Sequence, residues 1–178
     1  MKKVFLFALL FVTTISIAQE KTITKNTHKK HELKLNAFSL IAFKAFDVSY
    51  EYLIDEESSF GTSLFLRASE DMNATDFYKT FSITPYYRRY FSKGYAKGFF
   101  IEGFATVLNL KEYDFSVSNY KSETNFALGI SAGGKFVTKK GFIAEIFLGL
   151  GRKLGSETPN GINIPIVGRG GITLGYRF

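Results

Sequence analysis

Pro165-Ile166-Val167-Gly168-Arg169-Gly170-Gly171-Ile172-Thr173-Leu174-Gly175-Tyr176-Arg177-Phe178 alternates along its whole length. Successive side chains of an extended strand point to opposite faces. Ile166, Gly168, Gly170, Ile172, Leu174, Tyr176 and Phe178 therefore share one mainly apolar face. Val167, Arg169, Gly171, Thr173, Gly175 and Arg177 share the other, which carries two arginines. A strand that ends on an aromatic such as Phe178 is expected to close against a partner strand, because an unpaired edge is a liability.

Seven earlier segments repeat this rhythm. They span about Glu32–Ala42, Phe46–Leu53, Ser59–Ala68, Thr80–Phe91, Phe99–Leu110, Asn125–Phe136 and Phe142–Gly151. The first alternates imperfectly and is expected to hold a bulge. Pro85 lies within the fourth, where a central strand cannot spare an amide donor, so a bulge or a strand end is expected there. The links Asp55–Ser58, Ser92–Gly98 and Thr138–Lys140 are short, whereas Ser69–Lys79, Lys111–Thr124 and Arg152–Ile164 are long and polar. Short turns at one end and long loops at the other are the habit of outer-membrane barrels. The link near Lys44 is the exception, being short at the long-loop end.

The beginning of the chain agrees with export. Lys2 and Lys3 precede the apolar stretch Val4–Ile17, and Ser16-Ile17-Ala18 is a small-x-small cleavage site. The apolar run is shorter than the roughly 20 residues a spanning helix needs. We therefore expect a signal peptide over 1–18, a periplasmic leader over 19–31 and a barrel over 32–178. Taking the two leader lysines from 23 Lys and Arg leaves 21, against 16 Asp and Glu, a net +5 for the 160 residues from Gln19 to Phe178. Lys21, Lys25, Lys29, Lys30 and Lys34 concentrate that excess near the mature start, where a solvated leader is the simplest reading. Nucleic acid is not an expected partner of an exported chain. There is no cysteine, which removes thiolate metal sites and Cys nucleophiles. The 20 Phe and 10 Tyr suit aromatic girdles at two membrane interfaces.

These features define an all-β fold, an eight-stranded antiparallel up-and-down transmembrane β-barrel. Asp47, Glu51, Arg67, Arg88, Glu102, Lys135, Glu145, Arg169 and Arg177 all sit opposite the apolar face of their strands. A charge on the lipid face at mid-bilayer costs several kcal/mol, so these groups are expected inside. An eight-stranded barrel is narrow enough for side chains to fill it, and there the charges must pair to offset desolvation. The expected consequence is a lumen closed by an ion-pair network.

Catalysis is the competing use of the same residues. Glu51, Glu102 and Glu145 could form a carboxylate cluster for acid–base or metal chemistry. His28 and His31 have ligand-like spacing, but three lysines surround them and no carboxylate supports them. With both histidines placed outside the strands, a hydrolase has no evident base. No catalytic residue, metal or cofactor is expected.

The runs Leu33-Lys34-Leu35-Asn36, Val48-Ser49-Tyr50-Glu51-Tyr52, Thr84-Pro85-Tyr86-Tyr87-Arg88-Arg89-Tyr90-Phe91 and Gly98-Phe99-Phe100-Ile101-Glu102-Gly103 form a pattern. It resembles a family of small outer-membrane barrels from Bacteroidota, a domain of unknown function, and is similar to the OmpA transmembrane domain and OmpX. The resemblance implies an eight-stranded outer-membrane barrel and transfers no catalytic residue. The expected partners are outer-membrane lipid and lipopolysaccharide, with barrel-assembly machinery engaging the C-terminal strand. Phe77, Tyr78, Tyr113, Phe115 and Tyr120 offer contact area to a surface ligand or serve as girdle residues. The function expected is a structural or surface-interaction role, with an outer-membrane lipid-modifying enzyme or a small pore as alternatives. A soluble carrier of the lipocalin kind would need the opposite polarity, apolar within and polar without.

Overall fold

A computed structural model describes residues 29–68, 79–114, 119–154 and 166–178. The expected signal peptide, most of the leader, His28, Phe77, Tyr78, Phe115 and Pro165 lie outside the described residues, as do the side chains of Tyr113 and Tyr120.

Eight antiparallel strands close into one barrel in sequence order. They are β1 (His31–Asn36), β2 (Ala45–Leu53), β3 (Ser58–Arg67), β4 (Lys79–Tyr90), β5 (Gly98–Asp114), β6 (Asn119–Val137), β7 (Phe142–Leu154) and β8 (Ile166–Arg177). A helix, α1 (Ala37–Phe43), joins β1 to β2. The barrel closes where β8 pairs with β1, from Glu32↔Arg177 to Asn36↔Thr173. His31 and Phe178 seal that seam through two backbone hydrogen bonds, His31 N–H to Phe178 O at 3.1 Å and Phe178 N–H to His31 O at 2.8 Å.

The alternation decides which side chains face inward. On β2, Phe46, Val48, Tyr50 and Tyr52 are exposed on the outer wall, while Ala45, Ser49, Glu51 and Leu53 are buried in the lumen. On β7, Ile146, Leu148 and Leu150 face out, and Ile143, Glu145 and Phe147 face in. The outer wall is thus a belt of exposed Leu, Ile, Phe and Tyr, with Leu148 75% exposed. The lumen holds the charges, with Glu32, Glu51 and Glu102 fully buried.

Three details depart from the sequence expectations. The first segment does not continue as a bulged strand to Ala42, because Ala37–Phe43 is helical. Asn36 caps the helix by accepting from the Ser39 N–H at 3.2 Å, and Lys44 ends it in the left-handed region at φ 48°. A short apolar run reads equally as strand or helix by periodicity, and Asn36 was the cue that separates them. His31 is the first residue of β1 rather than part of a solvated leader; its Nδ1 lies 2.6 Å from the Tyr50 hydroxyl. Pro85 sits mid-strand without a bulge. Its pairing with Thr62 is regular, and the β4–β5 register is the same at Ile83↔Val107 and Tyr86↔Phe104. The irregularity lies at Lys79/Phe81 instead. Beside the missing Pro85 amide, the Thr84 and Thr106 hydroxyls are 2.8 Å apart and bridge the two strands.

The wall is not uniform. Pairing of β1 stops at Leu35↔Val48 on one side and Asn36↔Thr173 on the other. Beyond those points, among the described residues, β8 continues back to Ile166 paired only with β7, and β2 continues back to Ala45 paired only with β3. The helix α1 packs against β2 and β8 across this interval.

Candidate functional site: the ion-filled lumen

The lumen has two halves. The half nearest the seam termini is closed. Leu53, Tyr90, Ala96, Phe100 and Phe147 form a buried apolar cluster there, with Tyr95 packed against it. The 91–97 turn folds under the barrel: its Ala96 N–H donates to Glu56 O at 2.8 Å, and Arg177 donates to Tyr95 O at 3.0 Å and Ala96 O at 2.8 Å. One arginine of β8 thus pins the turn between β4 and β5.

Above this floor lies the network. Glu51 on β2 is its centre. It accepts from Lys34, from Lys135 Nζ at 2.7 Å and from Arg88 Nη1 at 3.0 Å. It also accepts from the Ser59 hydroxyl at 2.6 Å and the Tyr90 hydroxyl at 2.5 Å. Arg88 on β4 reaches three carboxylates. It forks onto Glu145 at 2.7 and 2.9 Å, and its Nε donates to Glu102 at 2.6 Å. Glu32 takes Lys135 at 2.8 Å and Arg177 Nε at 2.8 Å. Arg169 completes the set on Glu102, which also accepts from Ser131 at 2.8 Å. Aromatic rings flank the guanidiniums: Arg88 lies 4.2 Å from the Phe100 centroid and 4.6 Å from that of Tyr86. A planar guanidinium suits both uses at once, forking onto carboxylates and stacking on rings.

The strands place these groups by parity alone. Glu51, Arg88, Glu102, Lys135, Glu145, Arg169 and Arg177 converge in one connected network. Asp47 stands apart from it. Asp47 sits at the other end of β2, where Asn36 Nδ2 donates to it at 2.8 Å and the Ser39 hydroxyl lies at 3.3 Å. It anchors α1 rather than balancing the central cations. Arg67 ends β3 at the rim of that half. Phe178 projects outward and stacks on His31, with ring centroids 5.9 Å apart and planes 20° apart.

Two members of the network were absent from the sequence reading. Glu32 and Lys34 are fully enclosed, and Lys34 bonds Glu51 and Glu145 rather than solvating a leader. Their signal was present, since Glu32, Lys34 and Asn36 alternate with Leu33 and Leu35. The inward aromatics Phe65, Phe100, Phe104 and Phe147 carry no charge, so the pattern that marks the ionic lumen does not single them out.

The other half of the lumen, beneath α1, holds a cavity of about 1000 Å³. Its walls combine Phe65, Phe104, Leu108 and Phe147 with Ser63, Ser82 and Thr106, and Arg169 forms its base. The chemistry of the two halves therefore differs. The first is a sealed ionic plug and the second an open, largely apolar pocket. Among the described residues no group of three or more His, Cys, Asp or Glu is placed to hold a metal ion.

Searches of protein-family models, of curated proteins and of solved structures give no match to this chain. What the fold and site define is a closed eight-stranded antiparallel barrel whose interior carries a buried salt-bridge network.

Proposed function

We propose that this chain is exported by a cleaved signal peptide over 1–18 and inserts into a bacterial outer membrane. There it serves as a non-enzymatic barrel with a structural or surface-interaction role. The proposal includes membership of the small Bacteroidota barrels, similar to the OmpA transmembrane domain and OmpX. The observation that carries the membrane reading is the inverted polarity of the wall. Large apolar side chains stand exposed around the outside, and carboxylates and guanidiniums are enclosed at zero or near-zero accessibility. In water that arrangement leaves an apolar patch far larger than soluble monomers expose. In hydrocarbon it satisfies both faces, because the closed barrel pairs its strand edges within the sheet and α1 covers the short interval beyond β1.

The orientation follows from the connections. The start of β1, the end of β8, the 54–57 and 91–97 turns and the 138–141 turn share one end, which we assign to the periplasm. The end carrying α1 then faces outward, toward lipopolysaccharide and any surface ligand. The C-terminal strand, with outward Leu174, Tyr176 and Phe178, is the element offered to assembly machinery. The ionic plug favours a closed barrel over a pore.

Heat-modifiable gel migration tests this reading. Detergent-extracted protein should run faster unboiled than boiled, and should leave the membrane fraction only with detergent. Extraction into plain buffer, with identical migration of both samples, would overturn it.

A further inference from the structure

We infer that the α1 half of the lumen binds a single long acyl chain carrying a carboxylate, admitted through the wall between β8 and β2. Three observations converge on that ligand. The first is the cavity, whose volume of about 1000 Å³ lies at the upper end of the range of small-molecule pockets. Phe65, Phe104, Leu108 and Phe147 give it an apolar lining suited to methylenes.

The second is the break in the wall. Among the described residues, no strand pairs with β8 on its β1 side above Asn36↔Thr173, and only the short helix α1 spans the interval. The same cavity is lined by inward residues such as Val167 and by outward ones such as Leu148 and Ile172. Phe38, Ser39 and Phe43 of the helix line it too, so the cavity reaches this interval beside β8, where Gly168 and Gly170 supply no side chain on the outer face. A chain lying in the adjacent bilayer can enter sideways; this route, unlike the cavity itself, rests on the membrane reading above.

The third is charge. Lys79, at the start of β4, points into the cavity with its Nζ 3.9 Å from the Phe65 centroid, and among the described residues no carboxylate lies within ion-pair distance of it. Lys153 lines the same space, and the one carboxylate among its described lining residues, Asp47, is already held by Asn36 and Ser39. An ammonium in such a setting recognises an anion, and a carboxylate at the head of an acyl chain satisfies lining and charge together. The head then rests on Lys79 near the rim, and the chain runs along the phenylalanines.

The test uses the full barrel in phosphatidylcholine vesicles, taken from preparations that pass the heat-modifiability check, so that a failure here leaves the membrane reading standing. A fluorescent polyene fatty acid is titrated in, then displaced with hexadecanoate or its methyl ester. Saturable binding above protein-free vesicles is expected, with the acid displacing the probe about tenfold or more better than the ester, as a charge-assisted contact requires. Lys79→Gln should bring acid and ester to within about twofold, and Ser82→Phe, which fills the cavity, should weaken both. Should Ser82→Phe fail to fold, the acid-to-ester ratio in the parent and in Lys79→Gln decides alone. Binding no greater than in protein-free vesicles, equal displacement by acid and ester, or an unchanged ratio in Lys79→Gln each overturns the inference.

Discussion

Replacing Glu51 by glutamine removes one charge from the centre of the network with little change of shape. Five cations, Lys34, Arg88, Lys135, Arg169 and Arg177, then face three carboxylates, Glu32, Glu102 and Glu145, where they faced four. Breaking a buried pair by removing one partner costs about 3–5 kcal/mol. The low end applies, because each cation touching Glu51 keeps another carboxylate: Lys34 has Glu145 at 3.1 Å, Lys135 has Glu32 at 2.8 Å and Arg88 has Glu102 at 2.6 Å. A loss of about 3 kcal/mol, at a urea slope of roughly 1–3 kcal/mol per M, lowers the unfolding midpoint by about 1–3 M. Urea titration of the barrel in vesicles, followed by the loss of the fast-migrating gel band, measures it. Adding Lys135→Met restores the charge balance, so the double variant should be at least about 1 kcal/mol more stable than the sum of the single changes. A Glu51→Gln midpoint equal to the parent's, or strict additivity in the double variant, would refute the network as the source of stability.

Other perturbations probe separate features. Gly129→Ala pushes a methyl against Phe104 and to 2.5 Å of both Gly151 Cα and Leu150 O, so overpacking of about 1–3 kcal/mol is expected in the same titration. Gly103→Ala meets nothing within 4 Å and should stay within about 0.5 kcal/mol of the parent; equal losses at the two sites would mean the lumen is not packed as described. Leu148→Arg, on the outer face, should cost about 2–4 kcal/mol in vesicles if that face meets hydrocarbon, and indifference to the change would argue against it. Phe178→Ala removes the ring stacked on His31 and should weaken the β1–β8 seam by about 1 kcal/mol, read as a lower midpoint with the backbone register retained.

Most of the barrel is legible because one rule, period-two alternation with charges on one face, governs strands β2 to β8. On β8 the sequence assigns Arg169 and Arg177 to the lumen, and both lie there in ion pairs. The rule fails where both faces have the same polarity. The sequence reading ends the fifth strand at Leu110 and begins the sixth at Asn125, yet the β5–β6 hairpin pairs on to Asp114↔Asn119. Residues there are polar on both faces, so alternation is silent while the backbone ladder continues. The opposite failure occurs at Ala37–Phe43, where a nearly all-apolar run conceals a helix. Of the network, the long-range partners were beyond reach. Sequence parity puts Lys135 and Glu51 inside, but only closure brings residues 84 positions apart to 2.7 Å.

That closure also dictates how the molecule comes into being. The Arg177–Glu32 contact joins positions 145 apart, and the shortest strand supplies one side of the joint. Such a distant meeting is entropically late. Until the final strand is delivered, the first has only β2 beside it and the buried ions have no enclosure, so a partly delivered chain holds little of the finished structure. The converse is persistence: once the ring is complete, no strand can leave without rupturing two neighbours and baring charge, which makes escape slow.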